Sequence, residues 1–145
     1  MSGLLSAMDV SASALTAQRR RLELLVTNLA NAQTTRTPEG GPYRRKDVVF
    51  ETRSFEPFWK VLAEVDGGGL NGVKVREVVT DQRPPVLVYQ PNHPDADLQG
   101  YVAFPNVNPM EEMANFMAAK RSYEANIKAL EAIKELVRRS LEIGR

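Results

Sequence analysis

The sequence predicts an α+β chain in which two long terminal helices, paired as an elongated coiled-coil-like hairpin, flank a small β-rich middle insert. Three observations carry this expectation. Apolar residues recur every seven positions at both ends of the chain. Eight of the nine prolines and seven of the nine glycines fall between residues 38 and 105. Short β-branched runs are confined to that same stretch. The expected division is 1–33 for the N-terminal helix, 34–107 for the insert, and 108–145 for a C-terminal helix packing on the first.

Met8, Leu15, Leu22 and Leu29 define the first helix, with Leu4 and Leu25 in the interleaved positions and Ser11 and Gln18 as weak points. Gly3 is its one glycine and no proline interrupts it. Leu5 and Val26 widen the stripe. A second row, Val10, Ala17 and Leu24, repeats at the same spacing on another face.

The insert opens after a polar helix exit, NLANAQTTRTPEGGP. RKDVVF (45–50), GVKVREVV (72–79) and VLVY (86–89) read as short strands joined by Gly- and Pro-marked turns. FEPFWKVL is ambiguous, since Phe55, Phe58, Trp59 and Leu62 have helical spacing beside Pro57. YQPNHPDADLQGYVAFPNVN reads as a chain of turns, with Asp and Asn bonding nearby backbone and Pro fixing φ.

The C-terminal helix begins at a clear signal: Asn108 as N-cap, Pro109 at the first helical position, and Glu111 completing a capping box. Its stripe is Met113, Phe116, Tyr123, Ile127, Leu130, Val137 and Leu141, broken by Lys120 and Lys134. Ala118, Ala125 and Ala132 form a small-residue row that is read equally as close-approach surface or as plain helix propensity. The two helices span about 45 and 50 Å, too long to fit inside a compact globule of this mass. Together with Val10, Ala17 and Leu24, the Ala row is expected to serve contacts between subunits, because apolar faces left over after one pairing mark further interfaces.

Composition narrows the function. The chain holds 19 basic and 18 acidic residues for a net charge of +1, so nothing draws it globally to nucleic acid or an anionic membrane. It has no cysteine, which removes disulfides, thiolate metal sites and thiol nucleophiles. No apolar run approaches the ~20 residues of a membrane span. The N-terminus lacks the basic start of a cleaved signal, and Asp9 interrupts its apolar part.

Candidate chemistry is thin. His93, Asp95 and Asp97 suggest a metal, but the calcium-loop pattern fails at Asn106, where a bidentate Glu is required, and Pro91, Pro94 and Pro105 exclude the flanking helices. The Gly67–Gly69 run lacks the residues of a phosphate loop. The basic clusters Arg19–Arg21, Arg44–Lys46 and Arg138–Arg139 leave a helical nucleic-acid-binding module as the rival reading, disfavoured by the charge balance. No catalytic residue, metal ligand or cofactor is expected.

Three segments carry a resemblance. Asn-Leu-Ala-Asn-x-x-Thr closes the first helix on Asn28, Ala30, Asn31 and Thr34. A motif through His93, Pro94, Asp95, Asp97, Gly100, Tyr101, Pro105 and Asn106 ends the insert. Glu112, Met113, Arg121, Tyr123 and Asn126 mark the last helix. Together they resemble the bacterial flagellar rod and hook protein family, in its proximal-rod type, along nearly the whole chain. The region 51–71 matches least. The resemblance implies a non-enzymatic, torque-transmitting structural subunit of the basal-body rod crossing the periplasm. It implies export by the flagellar type III apparatus without a cleaved signal, and partners that are further copies, neighbouring proximal-rod proteins and a rod–ring adapter. The paired asparagines Asn28 and Asn31 are expected to bond across to the C-terminal helix or a neighbouring subunit.

Overall fold

The computed structural model describes residues 2–54 and 71–143, with side chains described from Ser6 to Ser54 and from Asn71 to Glu142. The expectations for Leu4 and Leu5 side chains, for the Phe55–Leu62 stretch and for Gly67–Gly69 lie outside the described residues. Helix α1 runs Ser2–Ala30 and helix α2 runs Pro109–Ile143. Between them, β1 (Lys46–Ser54) pairs antiparallel with β2 (Asn71–Thr80), and β3 (Val86–Tyr89) pairs antiparallel with β4 (Tyr101–Phe104), making two separate two-stranded sheets.

The start of α2 follows its sequence signal. The Asn108 side chain accepts the Met110 N–H at 3.1 Å, and its carbonyl accepts the Glu112 N–H as the first helical bond. The reciprocal bond from Glu111 is not formed. The β1–β2 ladder carries a bulge: Val49 faces Glu77 while Phe50 faces Val75, leaving Arg76 as the extra residue.

Strand β4 corrects the reading of residues 91–106 as turns alone. It is four residues long, between Gly100 and Pro105, and too short to show alternation. Gly100 has φ +84°, and a Cβ there would stand 2.8 Å from the Tyr89 ring and 3.2 Å from Pro91 Cβ. Only glycine fits that turn without strain.

The packing explains the second apolar row of α1. This helix contacts α2 and also lies against both strands of the β1–β2 sheet. Ala17, Leu24 and Leu25 are buried at 2%, 7% and 4% exposure, and Ala119 of α2 at 1%. Ala17 and Leu24, expected to be left for other subunits, are therefore covered within the chain, because α1 has two partners rather than one. Val10 is half-buried. The Met8–Leu15–Leu22–Leu29 line, expected at the centre of the helix pairing, stands half-exposed on its flank. At 100° per residue that line lies well over 90° from Ala17.

On α2, Phe116, Tyr123, Ile127, Leu130 and Val137 are half-buried as one stripe. Met113 (46%) and Leu141 (56%) are exposed. Met113 sits about 100° around from Glu112, and Leu141 lies at the far end of a 35-residue helix paired with one of 29 residues. Ala118, Ala125 and Ala132 are exposed.

Candidate functional site

The end of α1 and the start of α2 meet at a buried polar junction built on Asn28. Asn28 is 0% exposed and Glu112 is 1% exposed, the two buried polar or charged side chains among the described residues. The Asn28 amide Nδ2 donates to the Glu112 carboxylate Oε2 at 2.9 Å and to the Lys46 carbonyl at 2.8 Å. Its Oδ1 accepts the Tyr43 hydroxyl at 2.9 Å and the Lys46 N–H at 2.9 Å. All four bonds that an amide can make are used. A buried amide so satisfied fixes one arrangement of the surrounding segments, since each lost partner leaves a desolvated polar atom.

Glu112 is held from its other side by Arg45, whose Nε donates to Oε1 at 2.6 Å. Arg45 also donates from Nη1 to Asp47 Oδ2 at 2.9 Å, and its carbonyl accepts the Asp81 N–H at 2.8 Å. Burial works to lower the Arg45 pKa, but the bonds to Glu112 and Asp47 outweigh it and hold the guanidinium above its usual value. Tyr43 is 9% exposed. Burial first, and the Glu112 carboxylate second, raise its phenol above the ordinary range, against a smaller opposing pull from Arg45. The phenol therefore stays protonated and keeps donating to Asn28.

Asn31 acts locally. Its Nδ2 donates to the Thr27 carbonyl at 2.9 Å and its Oδ1 accepts the Thr34 hydroxyl at 3.1 Å, closing the last turn of α1. Of the two asparagines expected to bond across, Asn28 reaches α2 and Asn31 does not. Ala30 is exposed. Tyr43 was not singled out in the sequence reading, and Arg45 entered it only as part of the Arg44–Lys46 basic cluster and the start of the RKDVVF run, not as a partner of Glu112.

The His93 motif is a structural clamp. The His93 Nδ1 accepts the Asp95 N–H at 3.1 Å, Asp95 Oδ2 accepts the Thr35 hydroxyl at 2.7 Å, and Arg36 lies 3.8 Å from Asp95 Oδ1. Asp97 Oδ1 accepts the N–H groups of Gln99 and Tyr101. These residues tie the β3–β4 turn to the exit of α1, and among the described residues no group of three His, Asp or Glu is placed to hold a metal ion. Pro94 is exposed, Pro105 buried, and Asn106 half-buried. On α2, Arg121 is exposed while Tyr123 and Asn126 are half-buried, so the structure does not bring these residues to the junction.

Members of each basic cluster are engaged by nearby acids. Arg19 and Arg20 both pair with Glu23, Arg45 with Glu112, and Arg139 with Glu135. No described helix is long and apolar enough to cross a membrane.

The family described as flagellar basal body rod FlgEFG protein, C-terminal, matches residues 98–143. Over 97% of this chain and 97% of the relative, the chain is 42% identical to a flagellar basal-body rod protein FlgC of Borreliella burgdorferi. It is 43% identical to that of Escherichia coli O6:H1, over 97% of this chain and 98% of the relative. It is 45% identical to that of Bacillus subtilis, over 95% and 96%. With identity of this level over nearly the whole of each chain, the chain belongs to the FlgC family of flagellar basal-body rod proteins.

Proposed function

We propose that this chain is a structural subunit of the proximal rod of the bacterial flagellum, without catalytic activity. Its rod would transmit torque from the motor to the hook and filament. The observation that carries the reading is identity along nearly the whole length with relatives named as basal-body rod proteins. The half-exposed Met8–Leu15–Leu22–Leu29 line and the exposed Met113, Met117 and Leu136 supply apolar surface for neighbours on the same two helices. In the assembled rod those helices act as a coiled-coil-like pair, and the Asn28 junction fixes how they are set against the insert. The partners are further copies, adjacent rod proteins including the rod–ring adapter, and the flagellar type III export apparatus. Its place is in the rod that crosses the periplasm.

The test is complementation of a strain lacking this gene with Leu22→Asp, a substitution on the half-exposed line. Secreted but unassembled protein and non-motile cells support the reading. Intact rods and normal swimming with Leu22→Asp contradict it.

A further inference from the structure

Strand β3 has an outer edge that no hydrogen bond from the other described residues covers. Its four residues, Val86, Leu87, Val88 and Tyr89, are 47%, 64%, 36% and 63% exposed. The Gln90 N–H bonds the Gly100 carbonyl at 2.8 Å, and the register pairs Val88 with Val102 and Val86 with Phe104. By the two-residue alternation of an antiparallel ladder, Val86 and Val88 bond to β4, while the N–H and C=O of Leu87 and Tyr89 point outward. Among the described residues no hydrogen bond reaches those four groups.

The other edges are treated differently. On β4, Asp97 takes both outward groups of Tyr101: its N–H donates to the Tyr101 carbonyl and its carboxylate accepts the Tyr101 N–H. On β2, the Val73 N–H donates to Ser13 of α1. On β1, the Val48 N–H is taken by the Asp47 side chain, and the β1–β2 sheet carries charges and a bulge. Natural proteins blunt exposed edges with such devices; β3 has its shortness and its flanking prolines, and no group that takes its outward N–H and C=O groups among the described residues.

We propose that the β3 edge pairs with β3 of a second copy of this chain, antiparallel and centred on Val88. Leu87 of one copy then exchanges both backbone bonds with Tyr89 of the other, and the reverse, so all four outward groups are used. The contact is self-complementary, as a two-fold interface requires. No charged residue lies between Arg83 and His93, so the two strands meet without like-charge repulsion. Leu87 and Tyr89 stack across the junction on one face, and Val86 and Val88 on the other. Pro84 and Pro85 before the strand and Pro91 after it limit the pairing to this short run and keep it from propagating. The buried area is at most roughly 800 Å² in total, which places the dimer among weak, transient contacts. A two-fold contact closes on itself and cannot extend a rod, so this pairing belongs to the chain before assembly. It does not depend on the rod reading.

Because the chain has no cysteine, single engineered thiols report the contact directly. In the proposed register Val88 faces Val88 in a non-hydrogen-bonded pair, about 4.5 Å between Cα atoms, within disulfide reach. Purified full-length Val88→Cys under mild oxidation is expected to form covalent dimer about ten-fold faster than Val79→Cys, an exposed β2 position serving as collision control. Leu87→Cys, which faces Tyr89, is expected to crosslink no faster than the control. Adding Leu87→Pro to Val88→Cys removes an outward N–H that β4 does not use, and is expected to abolish the advantage; circular dichroism checks that this variant remains folded. Equal rates for Val88→Cys and Val79→Cys, faster linkage through Leu87→Cys, or an advantage that survives Leu87→Pro in a folded protein each overturns the proposal.

Discussion

Asn28 and Glu112 are 84 positions apart in sequence and share a buried hydrogen bond of 2.9 Å, joining the last full turn of α1 to the first turn of α2. The loop between them contributes the remaining partners, Tyr43, Arg45 and the Lys46 backbone. Helix ends, loop and first strand therefore form one cooperative unit.

Asn28→Ala should cost about 3 kcal/mol or more, because it strands a buried carboxylate, a phenol and two backbone groups. Asn31→Leu removes two local bonds at a half-exposed site and should cost about 1 kcal/mol. Chemical denaturation of the purified variants compares them. A double-mutant cycle pairing Asn28→Ala with Glu112→Ala should return a coupling of about 1–3 kcal/mol.

Glu112→Gln keeps shape and removes charge, leaving Arg45 with Asp47 as its remaining acid partner. The expected loss is about 2–3 kcal/mol. The Arg45 side chain is 18% exposed and Glu112 1%, so salt should screen this loss little, in contrast to the exposed Arg139–Glu135 pair. Denaturation at low and high salt checks both statements.

Tyr43 gives a pH dependence. Its phenol pKa is raised in the folded chain, chiefly by burial and next by Glu112. A raised pKa contributes stability that is fully present below about 10, the free-phenol value, and is lost as pH climbs through the folded value. The junction should therefore loosen on the alkaline side, above pH 10, with no corresponding loss from Tyr43 on acidification. Tyr43→Phe should lower stability by about 1 kcal/mol at neutral pH and flatten the alkaline fall. Thermal melts across that range measure both.

Gly100→Ala should destabilise the β3–β4 turn by about 1–3 kcal/mol, through positive φ and the clash with Tyr89 and Pro91. Native-state hydrogen exchange should show the loss first at Val102 and Phe104.

Gln18 offers a stabilising change. Its Oε1 is buried on α1 without a hydrogen-bond partner. Gln18→Leu removes that uncompensated group and should raise stability by about 1 kcal/mol, read as a higher Tm.

The sequence disclosed the long elements because their signals are local. Heptad spacing set α1, and Asn108 with Pro109 marked the start of α2 within a residue. Strands β1, β2 and β3 were legible from their valines. Strand β4 was not, since four residues between Gly100 and Pro105 cannot show a period. Which face of α1 meets which partner was also hidden. The Leu15–Leu22 line is the more hydrophobic in sequence, yet Ala17, Leu24 and, of the expected pairing stripe, Leu25 are the buried positions. A small side chain is chosen where two elements crowd one helix, and composition alone does not register crowding. At the junction, Asn28 stood out as an amide at a helix end. Its partners did not, because hydrogen bonds across 15 to 84 positions leave no spacing pattern.

The central claim is that this chain is a rod subunit whose terminal helices are set by the Asn28–Glu112 junction. The direct measurement is the amount of this chain in the rod fraction of extracted basal bodies, from deletion cells complemented with wild type or Asn28→Ala. The account predicts wild-type chain in the rods, and Asn28→Ala exported at a comparable level but depleted from rods, with motility lost. Wild-type chain absent from the rod fraction, or Asn28→Ala incorporated at the wild-type level in swimming cells, would contradict it.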